Sequence, residues 1–350
     1  MTAGGATALA PPNGRGAAPF YGRSVSMRRL AFLVARCLIA TATMAAASAA
    51  TAPADPWRIV ERRFFHGPAA SDARGQGVTT DGVHWIFSGT RSLERVDSDF
   101  RTLRIDRSAI PARLWRPSRL SPIGLNHIGD IDYADGLLYV PLDSSHIDPT
   151  VGKAYAHPTV ALYDARTFRY TGRAYPLRPP HGTDDIASWI AVDAANGVAY
   201  GIAYHQASEL AVYSLLDFTF RRYLPLSRPI DRAQGGKVRD GWIYLATDGD
   251  DKTVLRANLT TGTVEKLASL KLAGDQEIEG LGFHADANGR LSLNVLSRED
   301  DRPGSGQGGI ALYRLEPREV GGTQPSHRIA ADSVTMARQL RAPLALPLSR

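Results

Sequence analysis

Gly124-Leu-Asn-His-Ile-Gly-Asp-Ile-Asp132 sets a histidine and two carboxylates within a few residues of one another. His127 can move a proton near neutral pH, and Asp130 can orient it or help to hold a cation. On an extended strand Asp130 and Asp132 share a face, so both would point into one space. A second acidic run, Gln276-Glu-Ile-Glu-Gly280, supplies Glu279. Glu279 with Asp130 would suit a hard divalent cation such as Ca²⁺. His205 is expected to work with His127 in proton transfer. Arg298, with its planar fork of donors, suits a substrate carboxylate. Gln76, Asp132, His146, Trp189 and Gln234 complete the candidates, as substrate-binding groups. His146 lies in the long loop Asp143–Thr159, which could cover a site as a lid. These residues run from position 76 to position 298, so a single site requires a fold that gathers them.

A recurring hairpin signal supplies that fold. Asp81-Gly82, Asp135-Gly136, Asn196-Gly197, Asp240-Gly241 and Asn288-Gly289 each precede a strand-like run. Such dipeptides accept the positive φ angles of tight hairpin turns. Their glycines are 44 to 61 residues apart, a period typical of β-propeller blades. In phase with the hairpins come third strands such as Ala161-Leu-Tyr-Asp164 and Ala211-Val-Tyr-Ser214. Outer strands follow in the first four repeats, and the fifth lacks one. Trp57–Phe65, an orphan strand ahead of the first repeat, is expected to complete the last sheet and close the ring. The predicted fold is all-β: a propeller of about five four-stranded blades over 57–320. Pro111, Pro117 and Pro122 make 107–125 a loop rather than a sixth blade.

In a propeller the residues before each innermost strand and after each second strand meet at one end of the central channel. The first set includes Gln76, His127, Asp130, Trp189, Gln234, Glu277 and Glu279. The second includes Asp143, His146, His205, Asp248 and Arg298. Groups able to serve as acids, bases and clamps therefore converge on one mouth, which is what a ligand site requires.

Composition narrows the function classes. With 43% hydrophobic residues in 350, intrinsic disorder and small disulfide scaffolds are excluded. The formal charge of +6 is misleading, because the first fifty residues hold five arginines and no acid. The remainder is close to neutral and has no block of Lys/Arg suited to nucleic acid. From Met27 the chain reads Met-Arg-Arg, then an apolar run, then Ala47-Ser48-Ala49, the pattern of a signal peptide over 27–49. The expected location is periplasmic or secreted, with no stable membrane insertion after cleavage. Residues 1–26 read as an upstream non-structural segment, and 321–350 as a mostly disordered tail. The single Cys37 falls in the leader, so a mature chain would have no disulfide or thiol chemistry.

Gln76-Gly-Val and Glu279-Gly-Leu, set in these repeats, resemble the bacterial exported β-propeller superfamily. It includes regucalcin-type lactonases, five-bladed glutaminyl cyclases and propeller polysaccharide lyases. The resemblance is one of architecture and implies an exported hydrolase or lyase acting on a carbohydrate-type or lactone substrate, a small molecule or glycan. The alternative is a non-catalytic propeller that binds a ligand or protein. No Gly-x-Ser-x-Gly, His-Glu-x-x-His or dinucleotide fingerprint is present.

Overall fold

The Asp-Gly and Asn-Gly dipeptides do turn hairpins, by two routes. At Asp135-Gly136 and Asp240-Gly241 both residues have positive φ, as a two-residue turn of matched twist demands. At the other three only the glycine does, and the loops are longer. There a carboxylate caps the turn: Asp81 accepts from the amides of Val83 and His84, Asp193 from that of Asn196, and Asp286 from those of Asn288 and Arg290.

The computed structural model describes residues 55–181, 187–273, 276–286, 288–300 and 308–318. The upstream segment 1–26, the leader 27–49, Cys37 and the tail 321–350 lie outside them. The chain opens with strand β1 (Trp57–Phe65) and a short helix α1 (Pro68–Arg74). Blade I is β2 (Gly77–Thr80), β3 (Trp85–Ser88), β4 (Leu93–Val96) and β5 (Thr102–Asp106). A loop with one helical turn, α2 (Ala112–Trp115), leads to blade II. Its innermost strand is split into β6 (His127–Ile128) and β7 (Asp132–Ala134), followed by β8 (Leu137–Ser144), β9 (Ala156–Asp164) and β10 (Tyr170–Pro176). Blade III is β11 (Ala191–Asp193), β12 (Val198–Ile202), β13 (Ala207–Ser214) and β14 (Phe220–Ile230). Blade IV is β15 (Ala233–Arg239), β16 (Trp242–Thr247), β17 (Thr253–Asn258) and β18 (Val264–Ser269). Blade V takes β19 (Glu277–Ala285), β20 (Leu291–Asp300) and β21 (Gly308–Pro317), with β1 as its outer strand.

The ring closes as the orphan strand predicts: β1 pairs antiparallel with β21, from Trp57 opposite Pro317 to Phe65 opposite Ile310. Around the axis β2 neighbours β7, β7 neighbours β11, and the series continues through β15 and β19 back to β2. Five buried apolar clusters fill the wedges between successive blades. Ile86, Leu93, Ile128 and Leu142 fill one, and Leu245, Leu255, Ile202 and Leu210 another. Blades V and I share Val78, Phe87, Leu296 and Leu312. Each such side chain contributes roughly 1.5–3 kcal/mol of transfer free energy. The closing segment is also fixed by Arg74 at the end of α1. Its guanidinium donates to both oxygens of buried Glu94, at 2.6 and 3.0 Å, and lies 4.6 Å above the Phe65 ring.

The inner strands carry glycine where backbones crowd the axis. A Cβ on Gly77 would sit 2.5 Å from the Asp130 Cα, and one on Gly280 would sit 2.5 Å from Asp130 Oδ1 and 2.6 Å from the Gly77 Cα. No rotamer relieves a clash with backbone. Gly280→Ala is therefore expected to lose about 1–3 kcal/mol of stability, read by denaturant titration. An unchanged midpoint would mean that the axis is more open than this packing shows.

Candidate functional site

Asp130 stands where the five inner strands meet, and it is fully buried. Extended pairing in blade II is interrupted between β6 and β7, which turns this carboxylate onto the axis. Its Oδ1 accepts from the Val78 amide of blade I at 3.0 Å. Its Oδ2 accepts from Lys237 Nζ of blade IV at 2.7 Å, and at longer range from the Gly236 amide of the same blade and the Leu281 amide of blade V. Its backbone N–H donates to Ser188 O, and its carbonyl accepts from the Ile190 amide next to blade III. One residue thus bonds to three other blades and to the segment that leads into blade III. Burial pushes its pKa up to about 7, against the pull of Lys237 and of the Val78 amide.

Asp132 is likewise used within the fold. Its oxygens accept from the Val192 amide at 2.9 Å, from its neighbour Tyr133 and, weakly, from Thr79 Oγ1. Burial raises its pKa. The expectation that Asp130 and Asp132 both face an open channel is therefore corrected: one seals the axis and the other ties blades I and III to blade II. Trp189 is also structural. It is buried, its Nε1 donates to Ala233 O at 3.1 Å, and its ring fills the space that a side chain on Gly236 would need. Gln234, half-buried, lies next to this packing at the start of β15.

Above the seal is the mouth. His127 begins the inner strand of blade II opposite Asp143 in β8. Its Nδ1 lies 2.9 Å from Asp143 Oδ1, and its Nε2 lies 2.7 Å from Gln76 Oε1 of blade I. With Gln76 presenting its oxygen, both ring nitrogens donate and the ring is an imidazolium. With the amide turned over, its N–H donates to Nε2 and the ring is neutral, keeping its proton on Nδ1 toward Asp143. Gln76 can therefore accompany either protonation state, while Asp143 fixes the ring's orientation. Asp143 is buried, which raises its pKa, and the adjacent imidazole opposes that rise. The imidazole keeps 16% of its surface exposed.

Glu279 enters the same mouth from blade V, one residue before the glycine that touches Gly77. Burial holds its pKa well above the ordinary range, and the charges of Glu277, Asp248 and Asp130 add to the rise. Arg298, half-exposed, opposes it from 3.9 Å. Asp248 is fixed by Lys252 Nζ at 2.5 Å and by the Ile278 amide. Two phenols line this space. Tyr155 packs edge-on against His127, ring centroids 5.7 Å apart, and its pKa is raised by burial and then by Asp143, Glu277 and Glu279. The Tyr204 hydroxyl is pushed up to about 12 by burial and then by Asp248. The mouth therefore sets the His127 imidazole beside Asp143 and, from blade V, a buried Glu279 carboxyl whose pKa burial raises and Arg298 opposes.

Since Glu279 has a folded pKa above its unfolded one, its contribution to stability is complete at low pH and is lost as pH rises through the folded value. Glu279→Gln is expected to lose less stability than wild type between pH 5 and pH 8 in thermal melts. Parallel curves for the two proteins would contradict the assigned shift.

The structure pairs His127 with Gln76 and Glu279 with Arg298, with Tyr155 packed on His127 and sensing the charge of Glu279, and gives the other candidates different surroundings. His205 is 75% exposed, 3.8 Å from Asp231, and makes no interaction with His127, whose partners are Asp143 and Gln76. His146 is exposed on the loop after β8. A calcium ion at Glu279 and Asp130 does not fit the residues present: Asp130's oxygens are taken by Lys237 and three amides, and Glu279 faces Arg298. Among the described residues no group of three or more His, Cys, Asp or Glu side chains could hold a metal ion. Sequence reasoning missed Lys237 and Tyr155. The consecutive Gly235-Gly236 before Lys237 was an available signal, because paired glycines inside a strand mark close backbone approach.

These observations define a five-bladed β-propeller closed by its N-terminal strand, with a sealed axis and a polar mouth above it. Among solved structures the chain is similar to a gluconolactonase from Xanthomonas campestris, with a TM-score of 0.42 and 13% identity over 76% of this chain and 96% of that one. It is also similar to a protein of unknown function from Bacteroides caccae, with a TM-score of 0.37 and 12% identity over 63% and 69% of the respective chains. No family model matches the chain, and no curated protein matches it in sequence.

Proposed function

We propose that the chain is an exported hydrolase that opens a lactone or carbohydrate-type ester in the mouth of the propeller. The observation that carries this reading is the His127 imidazole, aligned by buried Asp143 and still reached by solvent. In the neutral state, with Gln76 displaced, Nε2 accepts a proton from a water molecule as its oxygen attacks the substrate carbonyl. Asp143 stabilises the imidazolium that forms. In its protonated form, which burial favours, the Glu279 carboxyl would donate a hydrogen bond to the carbonyl oxygen as negative charge develops there. As the ring C–O bond breaks, the proton held on His127 passes to the leaving oxygen, giving a hydroxy acid. Arg298 is placed to meet the new carboxylate.

A pH-stat screen of aldonolactones and sugar esters tests the reading, since each turnover releases one acid. Acid release by wild type and none by His127→Ala supports hydrolysis. Equal release by both removes His127 as the base. Formation of an unsaturated product without uptake of water would move the chemistry to elimination.

A further inference from the structure

The strap between β8 and β9 has a composition unlike the rest of the surface. Only eight large hydrophobic residues are exposed among the described residues, and three of them lie here: Ile147 at 68%, Val151 at 48% and Tyr155 at 41%. Apolar exposure on a floppy loop could be hidden by collapse, but this strap is built in place. Asp148, fully buried at its base, accepts from His157 Nε2 at 2.5 Å and from the amide and hydroxyl of Thr150 at 2.7 Å each. Its backbone N–H donates to Lys153 O, and its carbonyl accepts from the amides of Val151 and Gly152. The Tyr155 amide donates to Ser144 O at 2.6 Å, returning the chain to the sheet. Tyr155 and His157 hold φ angles of +56° and +63°, a conformation costly to side chains that bear a Cβ. That cost is met by this hydrogen bonding, and the outcome is the Tyr155 ring set against His127.

The strap thus carries an amphipathic phenol seated against His127 and, further toward its tip, two aliphatic side chains exposed to water. We infer that the mouth takes an amphipathic substrate, a lactone or ester whose carbonyl end sits at His127 and whose aliphatic tail lies along Tyr155, Val151 and Ile147. This rests on the hydrolase reading and narrows its substrate class, from unadorned sugar lactones to those bearing an alkyl or acyl chain. An occupant with such a tail removes apolar surface from water on both partners, which accounts for the exposure of these side chains in the free protein.

Binding tests this without turnover. A γ-lactam with a hexyl side chain, which the mouth cannot hydrolyse, is titrated calorimetrically beside the same lactam without the chain. Wild type is expected to bind the hexyl lactam at least tenfold more tightly, and Ile147→Ser/Val151→Ser is expected to lose that advantage. Both sites are exposed, so the fold is kept. Equal affinity of wild type for the two lactams, no detectable binding of either, or an advantage retained in the double variant would each overturn the tail site. A change from dimer to monomer on sedimentation in the double variant, with lactam affinities unchanged, would assign the face to a second copy and overturn it as well. Failure of the hydrolase reading appears separately, as acid release that does not depend on His127.

Discussion

His127→Ala is expected to lower kcat/KM on the best lactone of the screen by about 10²–10⁴-fold, the range a positioned general base supplies. The substitution also leaves buried Asp143 without its imidazole partner, so stability is expected to fall too and is measured beside the kinetics. Asp143→Asn separates two roles within the pair. An amide in that position can donate to Nδ1 as readily as accept from it, so it no longer selects the tautomer with a free Nε2. It also cannot stabilise the imidazolium. The expected loss is mainly in kcat, with KM close to wild type, because the interaction strengthens only as charge develops. A loss confined to KM would make Asp143 a binding residue and His127 its support. Steady-state kinetics on both variants, with circular dichroism to confirm the fold, decides between these outcomes.

The second large effect lies on the axis. Lys237→Met removes the ammonium group and leaves the Asp130 carboxylate buried among amides. Breaking a buried ion pair by removing one partner typically costs about 3–5 kcal/mol. The cost should depend on pH in a set direction. Asp130 has a folded pKa near 7, above the ordinary carboxylate value, so its stabilising contribution is complete at low pH and is lost as pH rises through 7. Without Lys237 the carboxyl binds its proton more tightly still. The variant should therefore be closest to wild type at pH 5 and furthest from it at pH 8. Lys237→Met/Asp130→Asn should recover much of the loss at pH 8, since no uncompensated charge remains. Denaturant titrations of the three proteins at both pH values measure this. A penalty independent of pH would mean that Asp130 keeps its charge without Lys237.

The fold was legible because its determinants are local. Asp-Gly and Asn-Gly mark hairpins within four residues, and an orphan strand with the composition of β1 has only a bare sheet edge to join. Two pairings at the strand ends were legible as well, since Gln76 beside His127 and Arg298 beside Glu279 follow from strand order. What failed depended on the path of the backbone between pairing positions. Alternation along an unbroken strand puts Asp130 and Asp132 on one face, but blade II breaks its inner strand at the residues between β6 and β7 and sends the two carboxylates to different partners. Such irregularities have no residue signature beyond a nearby glycine. Lys237 was hidden for a related reason: a lysine on a strand is ordinarily a solvated group, and only a carboxylate contributed by a distant blade makes its burial tolerable. Tyr155 depends on a positive φ that its own sequence does not announce.

A double-mutant cycle on kcat/KM between His127→Ala and Glu279→Gln bears most directly on the account, because these residues come from different blades and meet only if the mouth is one site. If the imidazole and the Glu279 carboxyl act on the same transition state, the double variant should lose clearly less than the product of the two single losses. Losses that multiply, as for two independent positions, would contradict it.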